Sequence, residues 1–237
     1  MRARSKRSIY TLVKRLDIDI WSDIACPWCF IGKRHLETAL QKFPQRDSVN
    51  VTWRAFELDP SAPAVRGPEP YAERLARKYG TSVDRAQAMI DRMTELAKAD
   101  GVEFRFDRIR PGNTFDAHRL LHLAAERGLQ DAVKDHFLVG YLTEGEPIGE
   151  KRALTELAVR AGLDRDEVQT VLASDRYASE VRQEEAEAEQ NGINAVPFFV
   201  IGNYGLSGAQ PAEVLLRAIA TAWEEVALES DSMNAGM

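Results

Sequence analysis

The sequence predicts an α/β fold in which one mixed β-sheet domain is interrupted by a large α-helical insertion. A β-α-β pattern occupies residues 16–58, an almost wholly helical stretch spans residues 71–191, and a β-β-α pattern begins at residue 195. Neither end can bury a sheet face by itself, so the two ends must pair into a single sheet. The helical stretch is therefore predicted as an insertion within one discontinuous domain.

The first segment contains two predicted strands separated by a helix. Residues 16–23 alternate apolar and acidic side chains, a period of two that predicts a strand. Apolar residues then recur at helical spacing until Pro44, which closes the helix. Residues 49–58 are rich in β-branched and aromatic side chains and predict the second strand.

The middle of the chain is predicted to be helical after a short linker. Residues 59–70 hold four prolines and one glycine, a composition typical of a linker. Apolar periodicity predicts helices over residues 71–79, 83–99, 114–127, 130–143, 151–161 and 175–189, with a further short helical turn in residues 164–173. Together they make up a predicted inserted subdomain, residues 71–191.

The last segment returns to the sheet domain. Residues 195–228 predict a strand, a glycine turn, a short strand and a helix, and Pro211 suits the first turn of that helix. Residues 229–237 are polar, and we expect them to form a flexible tail.

The net charge of the chain and its first fifteen residues indicate which binding partners and which cellular location to expect. A net charge of −6 and a pI near 5.4 argue against nucleic acid, whose phosphates need a basic face. No apolar run reaches the roughly 20 residues of a membrane-spanning helix. Residues 1–15 are basic, and the apolar stretch among them is too short for a secretory signal. We expect these residues to be a disordered basic extension and the protein to be cytoplasmic, away from membranes.

Both cysteines of the chain, Cys26 and Cys29, lie where the first strand gives way to the first helix. The free N–H groups and dipole of a helix N-terminus stabilise a thiolate, so we expect a lowered pKa for Cys26. Cys29 lies one turn further along, where it can resolve a mixed disulfide on Cys26. Pro27 suits the first helical turn, and Trp28 provides an apolar cover that shapes the partner surface. In a cytoplasmic chain, such a pair is more often redox-active than structural.

A zinc site is the alternative use of a Cys-x-x-Cys pair. His118 and His122 are four residues apart, but they lie far along the chain from Cys29 compared with the short ligand spacing of zinc fingers. We therefore interpret both histidines as packing or surface residues and predict no metal. His35 and His136 have no nearby carboxylate pattern, and no role is predicted for them.

A second informative stretch, "NAVPFFVIG", covers residues 194–202. A proline inside an apolar strand is unfavourable, so Pro197 either opens the strand or follows a cis peptide bond. A cis bond would leave the backbone of Val196 free to pair with an extended substrate. From the residues alone, an ordinary trans proline is the more frequent case.

Three further polar features have ordinary structural interpretations. Asp23 lies three residues before Cys26 and could tune its pKa or relay a proton, but a solvated strand end is the preferred interpretation. Asn113 fits a helix cap. The acid-rich residues 180–192 predict a solvated helix face.

Three stretches together, "SDIACPWCFIGKRHLE", "PGNTFDAHRLLHLA" and "NGINAVPFFVIGNYGLSGAQP", resemble the DsbA family of thioredoxin-fold proteins. They are most similar to its FrnE-like branch, which is related to 2-hydroxychromene-2-carboxylate isomerases and kappa-class glutathione transferases. The resemblance extends over residues 16–226. It implies a thioredoxin fold made of residues 16–58 and 195–228, split by the helical insertion.

The resemblance also implies roles for the motif residues. Cys26 would be the attacking thiol, Cys29 the resolving thiol, and Pro197 a cis-proline facing them. Pro27, Trp28 and Val196 would contact the substrate.

Two departures from the family pattern bear on these roles. The isomerase branch carries serine where Cys26 stands, so dithiol–disulfide exchange is favoured here. Periplasmic DsbA has a histidine between its cysteines, whereas Pro27 and Trp28 supply no positive charge. We therefore expect a reduction potential between those of DsbA, about −120 mV, and thioredoxin, about −270 mV.

The predicted function is that of a protein thiol–disulfide oxidoreductase, a disulfide isomerase included, acting on protein or small-molecule thiols and disulfides. The alternative is a glutathione-dependent isomerase or transferase of an aromatic small molecule. A non-catalytic redox-sensing module is a third hypothesis. No cofactor is predicted, with glutathione considered only as a co-substrate, and either a monomer or a homodimer fits the sequence.

Overall fold

The computed structural model describes residues 14–67 and 69–235, so most of the predicted basic extension lies outside the described residues. The strands are β1 (Leu16–Ser22), β2 (Val49–Ala55), β3 (Phe198–Ile201) and β4 (Tyr204–Ser207). The helices are α1 (Pro27–Lys42), α2 (Tyr71–Tyr79), α3 (Val83–Ala99), α4 (Phe115–Glu126), α5 (Gln130–Val139), α6 (Lys151–Arg160), α7 (Arg165–Leu172), α8 (Ala178–Gln190) and α9 (Ala212–Ala235). The predicted fold class, a mixed α/β thioredoxin fold, is confirmed.

The four strands form one sheet in the order β2-β1-β3-β4. β1 pairs parallel with β2 and antiparallel with β3, and β3 pairs antiparallel with β4. Alternate residues of β1, including Ile18 and Ile20, are fully buried, because the period of two sends them to the same face. In the register, Ile18 lies opposite Val51 of β2 and Ile201 of β3.

Among the described residues, two of the three hydrophobic clusters support the two parts of the chain, and the third contains the cysteine pair. The sheet core joins apolar residues of the strands to Leu36 of α1 and to Leu215 and Ile219 of α9. The second core lies within the helical insertion, and Phe30 and Ile31 of α1 reach into it. Helix α1 therefore packs against both parts and fixes their relative position.

Side chains of the helical insertion, and not another strand, cover the outer edge of β2. Gln130 on α5 accepts a hydrogen bond from the Trp53 N–H at 2.9 Å and donates one to the Trp53 carbonyl at 3.0 Å. Glu184 on α8 accepts from the Ala55 N–H at 2.7 Å. An open strand edge leaves backbone donors and acceptors without partners, so these contacts dock the insertion onto the sheet.

The prediction of a solvated acid-rich helix is wrong for one residue of α8. Glu184 is buried, and its carboxylate lies 3.0 Å from the Arg54 guanidinium and 3.3 Å from His122 Nε2. The Ala55 N–H at the edge of β2 needs a hydrogen-bond acceptor, and the Glu184 carboxylate provides it. An acid-rich composition does not reveal which carboxylate supplies it.

Helix α8 begins at Ala178 and not at the predicted residue 175, and the ends of two other helices differ in kind from the predicted ones. The helix predicted over residues 130–143 ends as an α-helix at Val139 and continues as a π-helical turn, Gly140–Glu144. The predicted tail, residues 229–237, is instead helical as far as Ala235. None of the described helices has both the length and the apolar character needed to cross a bilayer.

We predict that Gln130→Ala lowers the free energy of unfolding by about 2 kcal/mol, because the buried Trp53 backbone loses two hydrogen-bond partners. Urea denaturation measures the change. Gln183→Ala is the matched control: Gln183 is exposed on α8, its side chain donates to Glu187 of the same helix, and its loss should alter stability by less than about 0.5 kcal/mol. Equal effects of the two substitutions would contradict the docking role of Gln130.

Candidate functional site

The first cysteine occupies the N-cap of α1. Cys26 has an extended backbone, with φ of −97° and ψ of 110°, and Pro27 takes the first helical position, where no N–H is needed. The Cys29 N–H donates to the Cys26 carbonyl at 3.1 Å, which starts the helix and places Cys29 one turn inside it. Both sulfurs are free thiols in this structure.

The two cysteines differ in access. Cys26, Pro27, Trp28 and Val196 line one cavity of about 800 Å³, and Trp28 is 44% exposed at its wall. Cys29 is fully buried and does not line the cavity. A reagent in this cavity therefore meets the sulfur of Cys26 first.

The chain before β3 forms the wall opposite Cys26. The Cys26 thiol donates to the Val196 carbonyl, with 3.5 Å between the sulfur and the oxygen. The Val196–Pro197 peptide bond is cis, and Pro197 is buried. Pro197 packs closely on α1 at Gly32, where a Cβ atom would lie only 3.0 Å from Pro197 Cγ. The predicted site residues on both sides of the insertion therefore meet.

The prediction of a lowered pKa for Cys26 is wrong for the reduced pair. The Cys26 thiol has one hydrogen, which it donates to Cys29 in place of the Val196 carbonyl when Cys29 is ionised. This hydrogen bond, followed by burial, raises the pKa of Cys26 well above its ordinary value. Burial also acts to raise the pKa of Cys29, but the hydrogen bond from Cys26 and the charge of Lys134 outweigh it and lower that pKa. The helix N-terminus therefore does not decide the ionisation of the pair by itself.

The interpretation of Asp23 as a solvated strand end is also wrong. Asp23 is 1% exposed and accepts hydrogen bonds from the N–H groups of Leu58 at 2.8 Å and Ala25 at 3.2 Å. His118 Nε2 lies 3.5 Å from Asp23 Oδ1, and both side chains are buried. Burial acts to raise the pKa of Asp23, but His118 and the Leu58 N–H outweigh it and lower the pKa. Asp23 thus contributes a buried charge beside the cysteines.

A buried lysine beside the cysteine pair was missed by the sequence analysis. Lys134 on α5 is fully buried, and its ammonium group donates to the Ser22 carbonyl at 3.2 Å. One feature of the sequence could have revealed it: Lys134 lies on the apolar face of its helix, three and four residues before Phe137 and Leu138, which are both fully buried. A lysine in that position is rarely left buried without a specific interaction.

The cavity has an apolar and cationic wall built by α2 and α3. Its apolar side chains include Tyr79, Met89 and Leu96, which are among the most exposed large apolar residues described. Lys78 and Arg92 line the same wall, and neither makes an ion pair with any described residue. The wall can therefore bind a ligand that has an apolar body and a negative charge.

The histidines show no metal-binding arrangement. No three His, Cys, Asp or Glu side chains in residues 14–67 and 69–235 come together in a way that could hold a metal ion. His118 faces Asp23, and His122 faces Glu184 instead. Asn113, interpreted as a helix cap, accepts a hydrogen bond from the Phe115 N–H at 2.9 Å at the start of α4.

Comparisons with known proteins agree on the fold. Residues 17–220 match the family model described as a DSBA-like thioredoxin domain. The uncharacterized protein YwbO of Bacillus subtilis is 31% identical over 206 residues, which cover 85% of this chain and 94% of that protein. The crystal structure of a probable DsbA oxidoreductase from Streptomyces coelicolor has a TM-score of 0.83 and 48% identity, covering 89% of this chain and 91% of that one.

A more distant structure shares the fold alone. It is a 2-hydroxychromene-2-carboxylate isomerase with a TM-score of 0.60 and 13% sequence identity, and the match covers 92% of this chain and 98% of that one.

Proposed function

The chain belongs to the DsbA-like thioredoxin domain family, and we propose that it is a thiol–disulfide oxidoreductase. In the proposed cycle, the Cys26 thiolate attacks one sulfur of a substrate disulfide and forms a mixed disulfide, while the substrate S–S bond breaks and its other sulfur leaves as a thiolate. Cys29 then attacks Cys26, which releases the reduced substrate and leaves a disulfide between the two cysteines. Two equivalents of an external thiol, which are themselves oxidised to a disulfide, restore the dithiol. Electrons flow the other way when the protein starts oxidised.

The observation that carries this proposal is the unequal placement of two neighbouring thiols. Cys26 lines the cavity, whereas Cys29 is fully buried one helical turn further along α1, with its N–H donating to the Cys26 carbonyl at 3.1 Å. An exchange reaction needs one sulfur open to the substrate and a second one close behind it. The Val196 carbonyl, which already accepts from the Cys26 thiol, supplies a backbone group that can orient an extended substrate.

The residues that line the cavity favour one class of substrate. Lys78 and Arg92 offer positive charge and Trp28 and Tyr79 offer aromatic surface within reach of Cys26, so disulfides that carry carboxylates are preferred. Glutathione disulfide has this chemistry, and we propose glutathione as a co-substrate and not as a bound cofactor.

The setting of the reaction is part of the proposal. We place the protein in the cytoplasm, where an external thiol pool keeps the pair reduced. Neither Pro27 nor Trp28 puts a positive charge beside Cys26, which supports a reduction potential between about −120 mV and about −270 mV.

The alternative function, a glutathione-dependent isomerase of an aromatic small molecule, uses the same cavity. The aromatic rings of Trp28, Tyr71 and Tyr79 in its wall favour such a ligand. The resolving thiol separates the two functions, because isomerisation needs one sulfur and disulfide exchange needs two.

We predict that Cys29→Ser lowers the turnover of insulin disulfides at least about tenfold and leaves a covalent adduct on Cys26, because resolution is removed. Mass spectrometry of the intact protein detects the adduct. Cys26→Ser is the matched control and should lose both turnover and adduct. Full turnover by Cys29→Ser, or its retention of small-molecule isomerisation, would contradict the oxidoreductase assignment.

We also predict that Arg92→Gln lowers kcat/KM for glutathione disulfide about threefold relative to the uncharged hydroxyethyl disulfide, because one attractive charge is lost from the cavity wall. The difference should shrink in high salt. Arg152→Gln is the control, since this exposed arginine on α6 lies away from the cavity. If both variants reduce the ratio equally, the cationic wall does not select the substrate.

A further inference from the structure

Two fully buried lysines lie against the ring of Trp53. The ammonium nitrogen of Lys33, on α1, is 5.9 Å from the ring centroid, and that of Lys134, on α5, is 5.4 Å from it. Burying an ammonium group is costly unless it is paired, so each lysine needs a compensating negative charge. The two lysines meet this requirement in different ways.

Lys33 is surrounded by carboxylates. Asp131 lies 3.0 Å and Asp135 3.6 Å from its ammonium nitrogen, and Glu37 is in direct contact with it. These three carboxylates fully account for a charged lysine at this depth. Among the described residues, none of them forms an ion pair or a hydrogen bond with either cysteine.

Lys134 has no carboxylate partner. Among the described residues, its ammonium group forms one hydrogen bond, to the Ser22 carbonyl at 3.2 Å, and no ion pair. The ionisable groups whose charges act on it are the thiols of Cys29 and Cys26, the carboxylate of Asp23 and the like charge of Lys33. Ser22, whose carbonyl it contacts, directly follows Trp21, which packs in one cluster with Cys26 and Cys29. The negative charge that the lysine lacks is therefore available from the cysteine pair.

We propose that Lys134 is a positioning residue whose ammonium group is the buried counter-charge of the Cys29 thiolate. The inference rests on the proposed function, because the thiolate matters only if Cys29 resolves a mixed disulfide. Cys29 is fully buried, so water cannot stabilise its negative charge. The helical insertion thereby supplies a buried ammonium group without an ion pair among the described residues, whereas Lys33 of the sheet domain is already paired with carboxylates.

The step that depends on this charge is the second half of the exchange. Cys29 gives its proton to solvent, and the remaining thiolate attacks the Cys26 sulfur of the mixed disulfide. A bond forms between the two cysteine sulfurs, the bond to the substrate sulfur breaks, and its electron pair leaves with the substrate. The substrate thiolate takes up a proton, so the substrate is reduced and the dithiol is oxidised.

The ionisation of both groups agrees with this geometry. Burial acts to raise the pKa of Cys29, but the thiol hydrogen bond of Cys26 and the charge of Lys134 lower it. Once Cys26 is in a mixed disulfide, its thiol hydrogen bond is gone and Lys134 remains. Burial lowers the pKa of Lys134 to about 8, and the charges of Cys29 and Asp23 keep it from falling further.

The test follows the resolution step with dithiobis(nitrobenzoate), which releases one coloured thiolate on attack by Cys26 and a second on attack by Cys29. In Lys134→Met, we expect the second release to be about tenfold slower at pH 7, with the midpoint of its pH profile raised by about one unit. Above the raised pKa, the rates of variant and wild type should converge. A purely structural defect would slow the reaction equally at every pH.

The control is Lys33→Met, which also removes a buried ammonium group from the Trp53 ring. It should destabilise the fold by leaving carboxylates unpaired, but it should not raise the pH midpoint of the second release. An unchanged midpoint in Lys134→Met overturns the inference. If the wild type itself releases no second thiolate, the proposed function fails instead.

A measurement on the wild-type protein needs no substitution. Coupling between two sites is reciprocal, so a thiolate stabilised by Lys134 must raise the pKa of Lys134 in return. NMR titration of carbon-13-labelled lysine should therefore give Lys134 a lower pKa in the oxidised protein, which has no thiolate, than in the reduced protein. The same pKa in both redox states would overturn the inference.

Discussion

The pairing of β1 with β3 is the constraint on which the site depends. The antiparallel register puts Trp21, at the end of β1, opposite Phe198, at the start of β3. Chain segments separated by the whole helical insertion are thereby joined, and the Cys26 thiol meets the Val196 carbonyl across 170 positions of sequence. The short distance between the reactive sulfur and the opposite wall follows from sheet hydrogen bonds and not from the motif itself.

The helical insertion does more than cover the cysteines. Its side chains complete the open edge of β2, and its own helices build the cationic, apolar wall of the cavity. It also brings a buried ammonium group to the inner side of the cysteine pair. A sheet domain alone would present the same two thiols without the α2 and α3 wall of the cavity and without this charge. The insertion therefore accounts for much of the chemistry that we propose for the site.

Patterns local in sequence predicted much of this structure. The period of two in β1, the apolar periodicity of the helices and the cysteine pair at a strand–helix junction were all visible in the chain. What could not be predicted depends on contacts between distant residues. Asp23 was interpreted as solvated because its partner, His118, lies far along the chain on α4. Glu184 could not be distinguished by sequence from the other acidic residues of α8. The pKa order of Cys26 and Cys29 also escaped prediction, because it depends on the hydrogen bond between the two thiols, on burial and on Lys134.

In the proposed cycle, Cys26 is the sulfur that meets the substrate and Cys29 the one that resolves the intermediate. Alkylation of the reduced wild-type protein with a limiting amount of iodoacetamide, followed by peptide mapping, distinguishes the two cysteines. Access to the cavity predicts that the label is found on Cys26 while Cys29 stays protected. Preferential labelling of Cys29, the thiol with the lowered pKa, would contradict the account.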